Sequence, residues 1–326
     1  MASELTFDGV AVHFGTGRHR TVAVDGVNLA IPAGRVVGLV GESGSGKSTL
    51  GRAALGLAPL TSGTIRLDGV PIGPRRGRRE SRIQMVFQDP FSSLDPRMSI
   101  GDSIAEALPR DEARSRNTRR AEVERLLGLV GLDGERAVDL PASLSGGQRQ
   151  RVGIARALAA KPAVLIADEI TSALDVSIQA AILNLIRELH DRLELSMLFI
   201  SHDLAVVRYV SDIVAVMYLG QIVEVGLTDQ VLSRPRHPYT RELLSSLSEE
   251  PTPAGPPAVA DNEPADPRNP PPGCRFHTRC PVGPLVYPDR TACHDVAPSG
   301  DGRWNLAACH FVPLADDVAR AKIIRS

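Results

Sequence analysis

The residues from 41 to 49, GESGSGKST, have the types and spacing of a loop that binds a polyphosphate. Glycines let backbone N–H groups turn towards an anion, and the helix that begins after them adds positive potential. The lysine reaches the outer phosphates, and the serine hydroxyl that follows it can ligate Mg²⁺. A plain glycine turn would not require a Lys-Ser pair at this offset. The pattern therefore predicts a nucleotide site formed by Gly41, Ser43, Gly44, Ser45, Gly46, Lys47, Ser48 and Thr49.

Two carboxylates end the apolar segment AVLIADE, residues 163 to 169. At the end of a buried strand, Asp168 would hold the magnesium ion through water, and Glu169 would point differently and polarise an attacking water. An acidic pair after a strand is more often the start of an ordinary loop. In a chain that also carries a phosphate-binding loop, the pair becomes a candidate for catalysis.

A second surface for an anion is expected in LSGGQRQRVGIARAL, residues 144 to 158. Ser145 and the amides of two glycines stand at the start of a predicted helix, where N–H groups attract negative charge. Together with the phosphate loop, this segment resembles the ATP-binding cassette (ABC) ATPases, whose signature is LSGGQ. The resemblance implies a dimer in which the signature of one subunit closes on the ATP held by the other. The signature residues here are Ser145, Gly146, Gly147 and Gln148.

The same resemblance implies roles for four further residues. Gln88 would be a ligand of Mg²⁺, sense the γ-phosphate and couple to a membrane partner, and His202 would contact the γ-phosphate. Asp175 would lie at the dimer seam. Phe14 is the expected aromatic partner of the adenine, although a lone phenylalanine before a loop is often part of a core. The chain departs from the family at Ile170, where proline is usual, and isoleucine leaves the backbone φ less restricted.

The elements that position these residues follow the order expected of an α/β protein with a largely parallel sheet. Several apolar segments lack polar alternation, as strands buried on both faces do. The predicted strands are RVVGLV (35 to 40), IQMVF (83 to 87), AVLIAD (163 to 168), SMLFIS (196 to 201) and DIVAVMYL (212 to 219). The residues from 102 to 130 are predicted to be helical. The resemblance implies a P-loop NTPase fold, a RecA-like ABC ATPase core with antiparallel β and α-helical subdomains.

Composition and resemblance divide the chain into successive parts. Residues 1–226 are expected to form the nucleotide-binding domain, with a helical subdomain at about 92–150. A helical extension at 227–250, a proline-rich linker at 251–273 and a Cys-rich C-terminal extension at 274–326 follow. The linker holds nine prolines, which prevent regular structure and favour a partly extended spacer.

Charge and hydropathy exclude several classes of protein. Of the 326 residues, 43% are hydrophobic, enough for a buried core, and the formal net charge is −1, so no basic field attracts nucleic acid. The N-terminal residues include acidic ones and no apolar run, which argues against a secretory signal. No uncharged apolar stretch reaches the roughly 18 residues that a membrane-spanning helix needs. We therefore expect a cytoplasmic protein.

Segments that flank the site resemble the ATPase subunits of bacterial oligopeptide and dipeptide importers. Examples are QMVFQDPFSSLDPRMSI (84 to 100) and RHPYTRELLSSL (236 to 247). The resemblance is greatest to the subunit usually encoded last in such operons. It implies a peripheral ATPase at the cytoplasmic face of the cell membrane. Its partners would be a related second ATPase subunit in a heterodimer, two transmembrane permeases and an extracytoplasmic solute-binding protein.

Two alternatives to peptide import are open. Importer ATPases for nickel or another non-peptide solute share nearly all of these motifs. A non-transport ABC ATPase is less favoured. Coiled-coil chromosome ATPases have a long helical insertion between the phosphate loop and the signature, whereas the interval in this chain is short. Translation and DNA-repair ATPases of the superfamily typically carry two cassettes in one chain, whereas this chain has one.

All four cysteines lie in the last part of the chain, with the spacing C-x5-C-x12-C-x15-C. Four thiolates suit a tetrahedral zinc ion or a [4Fe–4S] cluster, and the spacing alone does not choose between these and four free thiols. The resemblance favours the cluster, because some peptide-importer ATPases bind one through cysteines of this motif. The ligands would be Cys274, Cys280, Cys293 and Cys309. His277, His294 and His310 are alternative ligands nearby.

Overall fold

The computed structural model describes residues 2–15, 20–72, 82–89, 94–109, 115–172, 174–245, 266, 268–298 and 306–311. Most of the predicted proline-rich linker lies outside these described residues, as does the end of the Cys-rich extension. Within the described ranges, no helix is both long enough and apolar enough to cross a lipid bilayer.

The strands and helices are numbered in chain order. The strands are β1 Leu5–Phe14, β2 Thr21–Ile31, β3 Val36–Val40, β4 Ser62–Leu67, β5 Val70–Pro71, β6 Ile83–Val86, β7 Val164–Asp168, β8 Ser196–Ile200, β9 Ile213–Tyr218, β10 Gln221–Leu227 and β11 Leu306–Ala307. The helices are α1 Lys47–Ala54, α2 Ile100–Ala105, α3 Arg116–Leu129, α4 Gly146–Ala159, α5 Val176–Leu193, α6 Leu204–Val210, α7 Thr228–Ser233, α8 Pro238–Ser245 and α9 Ala292–Asp295. Short 3₁₀ turns at Gly134–Val138 and Pro141–Ser143 lead into α4.

The larger sheet is built on parallel strands. Its order is β11-β10-β9-β3-β8-β7-β6, in which β9, β3, β8, β7 and β6 run parallel, β10 pairs antiparallel with β9, and β11 pairs antiparallel with β10. Every residue of β3, β7, β8 and β9 is buried. Burial on both faces explains why these strands are continuous apolar runs. The five strands predicted from such runs are confirmed within one residue at either end.

A smaller antiparallel sheet, in the order β2-β1-β4-β5, packs on one face of the larger sheet. Side chains of both sheets and of α1 form a single hydrophobic cluster. Register shifts interrupt the pairing of β1 with β2 between Phe7 and His13. Such bulges disturb the alternation of buried and exposed residues. Of the elements that the resemblance implies, the antiparallel sheet is therefore present in the fold.

The other face of the larger sheet carries the helical segment. In the described residues, the helical stretch predicted at 102–130 consists of α2 and α3. The hydroxyl of Ser115 accepts a hydrogen bond from the Thr118 N–H at 3.1 Å and so caps the start of α3. Three apolar residues of α3, Val123, Leu126 and Leu127, are buried in the cluster that also contains side chains of α2 and α4. This cluster fixes α4, the helix that begins at the signature.

The C-terminal module, defined here as residues 268–298 and 306–311, packs against the larger sheet. It consists mainly of turns, with α9 and β11 as its short regular elements. In β11, Ala307 pairs with Glu224 of β10 and extends the sheet. Phe276 is buried against the rings of Tyr218 and Tyr239, at centroid distances of 5.4 and 5.5 Å. The module therefore shares its apolar core with the sheet that carries the site.

Candidate functional site

Four neighbouring parallel strands deliver the predicted site residues to one edge of the larger sheet. The phosphate loop follows β3, His202 follows β8, Asp168 and Glu169 lie at the end of β7, and Gln88 follows β6. These strands are adjacent in the order β3-β8-β7-β6, so their carboxyl ends form a continuous row. Ligands of open α/β sheets bind at this edge. The fold thus brings together residues that lie far apart in sequence.

Two glycines fix the phosphate loop against neighbouring backbone. Gly41 has a φ of +151°, and a Cβ at this position would lie 2.0 Å from the carbonyl oxygen of Met217. Gly46 has a φ of +104°, and its Cβ would lie 2.1 Å from the carbonyl oxygen of Ala23. Only glycine is compatible with both the positive φ and the close approach. The loop is therefore held between β2 and the end of β9.

Lys47 lies buried beneath the loop. Its Nζ donates hydrogen bonds to the carbonyl oxygens of Gly41 and Glu42, each at 2.8 Å. Burial lowers the pKa of Lys47, and the carboxylate of Glu169 is the largest influence in the opposite direction. The ammonium group is thus positioned beside the loop amides, where an anionic ligand would meet both.

Ser48 and Asp168 present two oxygens that suit a magnesium ion. The Ser48 hydroxyl donates to Oδ1 of Asp168 at 2.8 Å. Asp168 is 2% exposed, and burial raises the pKa of its carboxyl group, while the hydrogen bond from Ser48 acts in the opposite direction. Mg²⁺ prefers hard oxygen ligands, one or two from the protein together with water and substrate phosphates. The residues present therefore fit this ion.

Glu169 is the centre of a small polar group. Its Oε2 accepts a hydrogen bond from Nε2 of Gln88 at 3.2 Å and lies 3.5 Å from Nδ1 of His202. The Gln88 amide also donates to the hydroxyl of Ser172 at 3.3 Å. The φ of Glu169 is +47°, a left-handed conformation that is uncommon outside glycine and that occurs at functional sites. Three residues predicted from separate segments therefore meet here.

The signature lies at the start of α4 and away from the phosphate loop. Ser145 and Gln148 form a capping box: the serine hydroxyl accepts from the Gln148 N–H at 3.3 Å, and the Gln148 side chain accepts from the Ser145 N–H at 3.0 Å. Gly147 packs on α5, where a Cβ would lie 2.5 Å from Cγ2 of Ile178. Across the part of the chain that the structure describes, no hydrogen bond joins 145–148 to 41–49. Within one chain, the two predicted half-sites therefore have different hydrogen-bond partners.

Three other residues singled out in the sequence have defined positions in the fold. Asp175 caps α5, because its carboxylate accepts from the Ile178 N–H at 2.9 Å, and this hydrogen bond is the main cause of its lowered pKa. Phe14 ends β1 with a 44% exposed side chain, so it is not a core residue, and its stacking on adenine stays a prediction. Ile170 is buried in the core, which restrains the turn after Glu169.

Comparison with known proteins places the chain in a family. The family model described as "ABC transporter" matches residues 24–172, and that of the "Oligopeptide/dipeptide transporter, C-terminal region" matches residues 223–283. A putative peptide import ATP-binding protein of Brucella ovis is 46% identical over 285 residues, which cover 85% of this chain and 89% of that relative. The chain belongs to the ABC transporter family. Another such relative, from Brucella abortus, is 48% identical over 304 residues, which cover 90% of this chain and 88% of the relative.

Solved structures of ABC cassettes have the same fold as this ABC ATPase. The dimeric post-hydrolysis state of the ATP-binding cassette MJ0796, bound to ADP and Pi, superposes with a TM-score of 0.61 at 28% identity, covering 69% of this chain and 98% of that one. The cbiO1 protein from Clostridium perfringens, part of the ABC transporter complex cbiONQ, gives a TM-score of 0.60 at 31% identity, covering 71% of this chain and 90% of that one. The predictions of the cassette fold and of an ABC-type ATPase are confirmed.

The sequence did not indicate which residues support the phosphate loop of this ABC ATPase from the C-terminal side. The Glu42 N–H donates to the hydroxyl of Tyr239 at 2.9 Å, and the Glu42 carboxylate accepts from Arg279 at 3.2 Å. Both partners lie about two hundred or more positions further along the chain. The available signal was the resemblance of RHPYTRELLSSL to importer subunits, which does not say what the tyrosine contacts.

The four predicted cysteine ligands of this ABC ATPase line one cavity of about 10 Å³, together with His237, Phe276 and other side chains. Burial raises the pKa of Cys274 to about 11 and that of Cys280 to about 12, with a smaller contribution from the neighbouring thiols. No three His, Cys, Asp or Glu side chains among the described residues are arranged to hold a metal ion. The donor set suits a thiolate-bound group in chemistry and number, but the side chains must move apart to admit one.

Two of the three histidines near the cysteines have hydrogen-bonded rings. Nδ1 of His277 bonds to the carbonyl oxygen of Cys274 at 2.7 Å, and Nε2 of His310 bonds to that of Val296 at 2.8 Å. These bonds occupy one ring nitrogen of each histidine. The other ring nitrogen of each histidine is left for a ligand, so His277 and His310 stay alternative ligands beside the cysteines.

Proposed function

We propose that this chain binds and hydrolyses ATP to power the import of di- and oligopeptides through a membrane ABC transporter. The observation that carries the proposal is the combination of a cassette site with a match, at residues 223–283, to the C-terminal region of oligopeptide/dipeptide transporters. Relatives described as peptide import or peptide ABC transporter ATP-binding proteins align with 85% and 90% of the chain. These descriptions favour peptides over nickel, the alternative solute.

Each residue at the sheet edge has a proposed role in hydrolysis. The loop amides and Lys47 bind the phosphates, while Ser48, Asp168 and Gln88 hold the Mg²⁺ ion, whose charge stabilises the phosphoryl group as it is transferred. Glu169 orients and polarises the attacking water. His202 contacts the γ-phosphate. The contacts of Glu169 with Gln88 and His202 support this assignment, because they fix its carboxylate at the sheet edge that carries the phosphate loop.

A second ATPase subunit completes the site. Because Ser145 and its neighbours lie apart from the phosphate loop of their own chain, we place them against ATP held by a related but different subunit, in a heterodimer. The signature of that subunit then closes on the ATP bound here, between Phe14 on the adenine side and Asp175 at the seam. Closure driven by ATP and reopening after hydrolysis supply the mechanical step.

Transport itself takes place in other chains. Two transmembrane permeases receive the movement of the ATPase pair, and an extracytoplasmic solute-binding protein delivers the peptide. The subunit works at the cytoplasmic face of the membrane as a peripheral protein and has no nucleic acid partner. A net charge of −1 fits this assignment, since no overall basic field is present.

Purification of the native complex tests the proposal. The chain should co-purify with two hydrophobic permeases and a second cassette subunit, and vesicles containing the complex should take up peptides in an ATP-dependent way with the cognate binding protein. Uptake of Ni²⁺ in place of peptides would support the alternative solute. Absence of any permease from the native complex would contradict the transport role.

We further propose that Cys274, Cys280, Cys293 and Cys309 bind a [4Fe–4S] cluster. The support is that the four cysteines line one cavity and that the importer C-terminal match includes the first two of them. Anaerobic purification followed by iron, sulfide and zinc analysis tests it. Stoichiometric iron and sulfide are expected, whereas zinc alone or a colourless, metal-free protein would overturn the proposal.

A further inference from the structure

Arg279 of the C-terminal module contacts the phosphate loop directly. Its guanidinium donates to both carboxylate oxygens of Glu42, at 3.2 and 3.4 Å, and it also donates to Glu242 on α8. The Arg279 side chain is 15% exposed, so solvent screens these contacts less than it screens surface pairs. Glu42 is the second residue of the loop sequence that begins at Gly41. A charge from the module is therefore paired with a charge on the loop.

A second connection passes through aromatic rings. The hydroxyl of Tyr239 accepts a hydrogen bond from the Glu42 N–H. Tyr239 therefore holds the backbone of Glu42, whereas Arg279 holds its side chain. The Tyr239 ring is fully buried and packs against Phe276 of the module at 5.5 Å and against Tyr218 at 4.5 Å. Because Phe276 supports the ring, the position of the loop backbone depends on the position of the module.

A third connection reaches the loop through the turn at Leu219 and Gly220. Arg275 of the module donates to the carbonyl oxygen of Leu219 and to the carboxylate of Asp25, and its side chain is 9% exposed. Gly220, which follows Leu219 in the chain, donates its N–H to the carbonyl oxygen of Ser45 at 2.8 Å. The turn held by Arg275 is therefore the turn that holds the later part of the phosphate loop.

These three connections have a physical consequence for ligand binding. A glycine-rich loop has many accessible conformations, and only those that direct its N–H groups inwards bind a polyphosphate. The apparent affinity falls in proportion to the fraction of molecules in the competent conformation. An unpaired carboxylate on Glu42 would also oppose the approach of a polyanion. Arg279 therefore acts both on the fraction of molecules with a competent loop and on the charge that Glu42 presents to the ligand.

We infer that the C-terminal module positions the phosphate loop, and that Arg279 and Arg275 are positioning residues for ATP binding. The module is then a part of the nucleotide site and not only an addition to the chain. Any change that displaces the module alters ATP affinity through Glu42 and Ser45.

Equilibrium binding of MgATP to the full-length chain tests the inference, by calorimetric titration in the absence of turnover. Arg279→Gln should weaken MgATP binding by about tenfold, which corresponds to a fall in the fraction of molecules with a competent loop to about a tenth. Arg279→Lys, which keeps the charge, should recover part of the affinity. The matched control is Arg268→Gln, because Arg268 lies in the same module, is exposed and pairs only with Asp266 among the described residues. The MgATP affinity of Arg268→Gln should equal that of the wild type.

A double-mutant cycle shows whether Arg279 acts through Glu42. If it does, adding Arg279→Gln to a Glu42→Gln background should change the MgATP affinity by less than about twofold, because the interacting partner is already gone. The same tenfold loss in both backgrounds would overturn the assignment of Glu42 as the link. A lower melting temperature of Arg279→Gln with unchanged MgATP affinity would overturn the inference as a whole, since it would show a structural role alone.

Discussion

At the residue scale, Glu169 combines an unusual backbone with contacts to two other candidate residues. Its φ is +47°, and its carboxylate accepts a hydrogen bond from Gln88 and lies 3.5 Å from His202. Left-handed backbone at a non-glycine residue costs on the order of 1–3 kcal/mol and persists where the surroundings enforce it. Here the Glu169 N–H donates to the carbonyl oxygen of Ile200, and the next residue is buried. The surrounding fold therefore enforces an unfavourable backbone conformation that places this one carboxylate.

Glu169→Gln should abolish ATP hydrolysis while MgATP binding is retained. The amide can keep the contact with Gln88 but cannot accept a proton from water, and loss of a general base typically lowers the rate by about 100-fold or more. Phosphate release by the assembled transporter and equilibrium binding of MgATP to the chain measure the two quantities. Glu188→Gln is the control, because Glu188 is an exposed residue of α5 paired with Arg192 at 3.0 Å. Hydrolysis that survives Glu169→Gln unchanged would contradict the catalytic assignment.

At the element scale, β3 depends on a glycine for its packing against α6. A Cβ at Gly38 would lie 2.4 Å from Cγ1 of Val207 and 2.6 Å from the hydroxyl oxygen of Ser211. Gly38→Ala should therefore push α6 away from the strand that leads into the phosphate loop, and overpacking of this kind costs about 1–3 kcal/mol. Urea unfolding measures the loss in the free energy of unfolding.

Gly128→Ala is the matched control for Gly38→Ala. Gly128 lies inside α3, and a Cβ there would meet no atom within 4 Å. Alanine in a helix is favoured over glycine by about 0.5–1 kcal/mol, so this variant should be more stable than the wild type. Equal losses of stability at the two positions would show that close packing is not the reason for glycine at Gly38.

The elements also show which parts of the fold the sequence could predict. The strands β3, β7, β8 and β9 are buried throughout, so each is an apolar run that needs no knowledge of its neighbours. The strands of the smaller sheet have mixed burial and bulges, and no such run identifies them. The antiparallel part could be expected only from the resemblance to a family.

The same distinction applies to the site. Short motifs carry most of its residues, so the phosphate loop, the acidic pair and the signature could be predicted locally. The pairing of Arg279 with Glu42 spans 237 positions and depends on how the C-terminal module docks. The resemblance implied a common ligand set for the four cysteines, but the sequence could not give the distances between the thiols. These features follow from tertiary packing, which local patterns do not encode.

At the scale of the whole molecule, the separation of signature and phosphate loop predicts an effect across subunits. Ser145→Arg should leave MgATP binding to this chain unchanged but lower ATP hydrolysis in the assembled complex, because the arginine would block the surface that we propose faces the partner's nucleotide. Ser115→Arg is the matched control, since Ser115 is the capping-box residue of α3 and has no predicted contact with ATP. Phosphate release by the reconstituted pair measures the effect. Equal losses in both variants would indicate a general effect of losing a helix cap.

The shared core predicts that the C-terminal module and the site unfold together. Phe276 is 1% exposed and lies in the same hydrophobic cluster as Tyr218 and Tyr239, so Phe276→Ala should lower the free energy of unfolding by about 3–5 kcal/mol. Hydrogen exchange should then accelerate in 274–296 and in β9 and α8 alike. Phe311→Ala, at a 42% exposed position, should cost less than about 1 kcal/mol. Faster exchange in the module alone would mean that it opens independently, and the phosphate loop would then keep its shape without it.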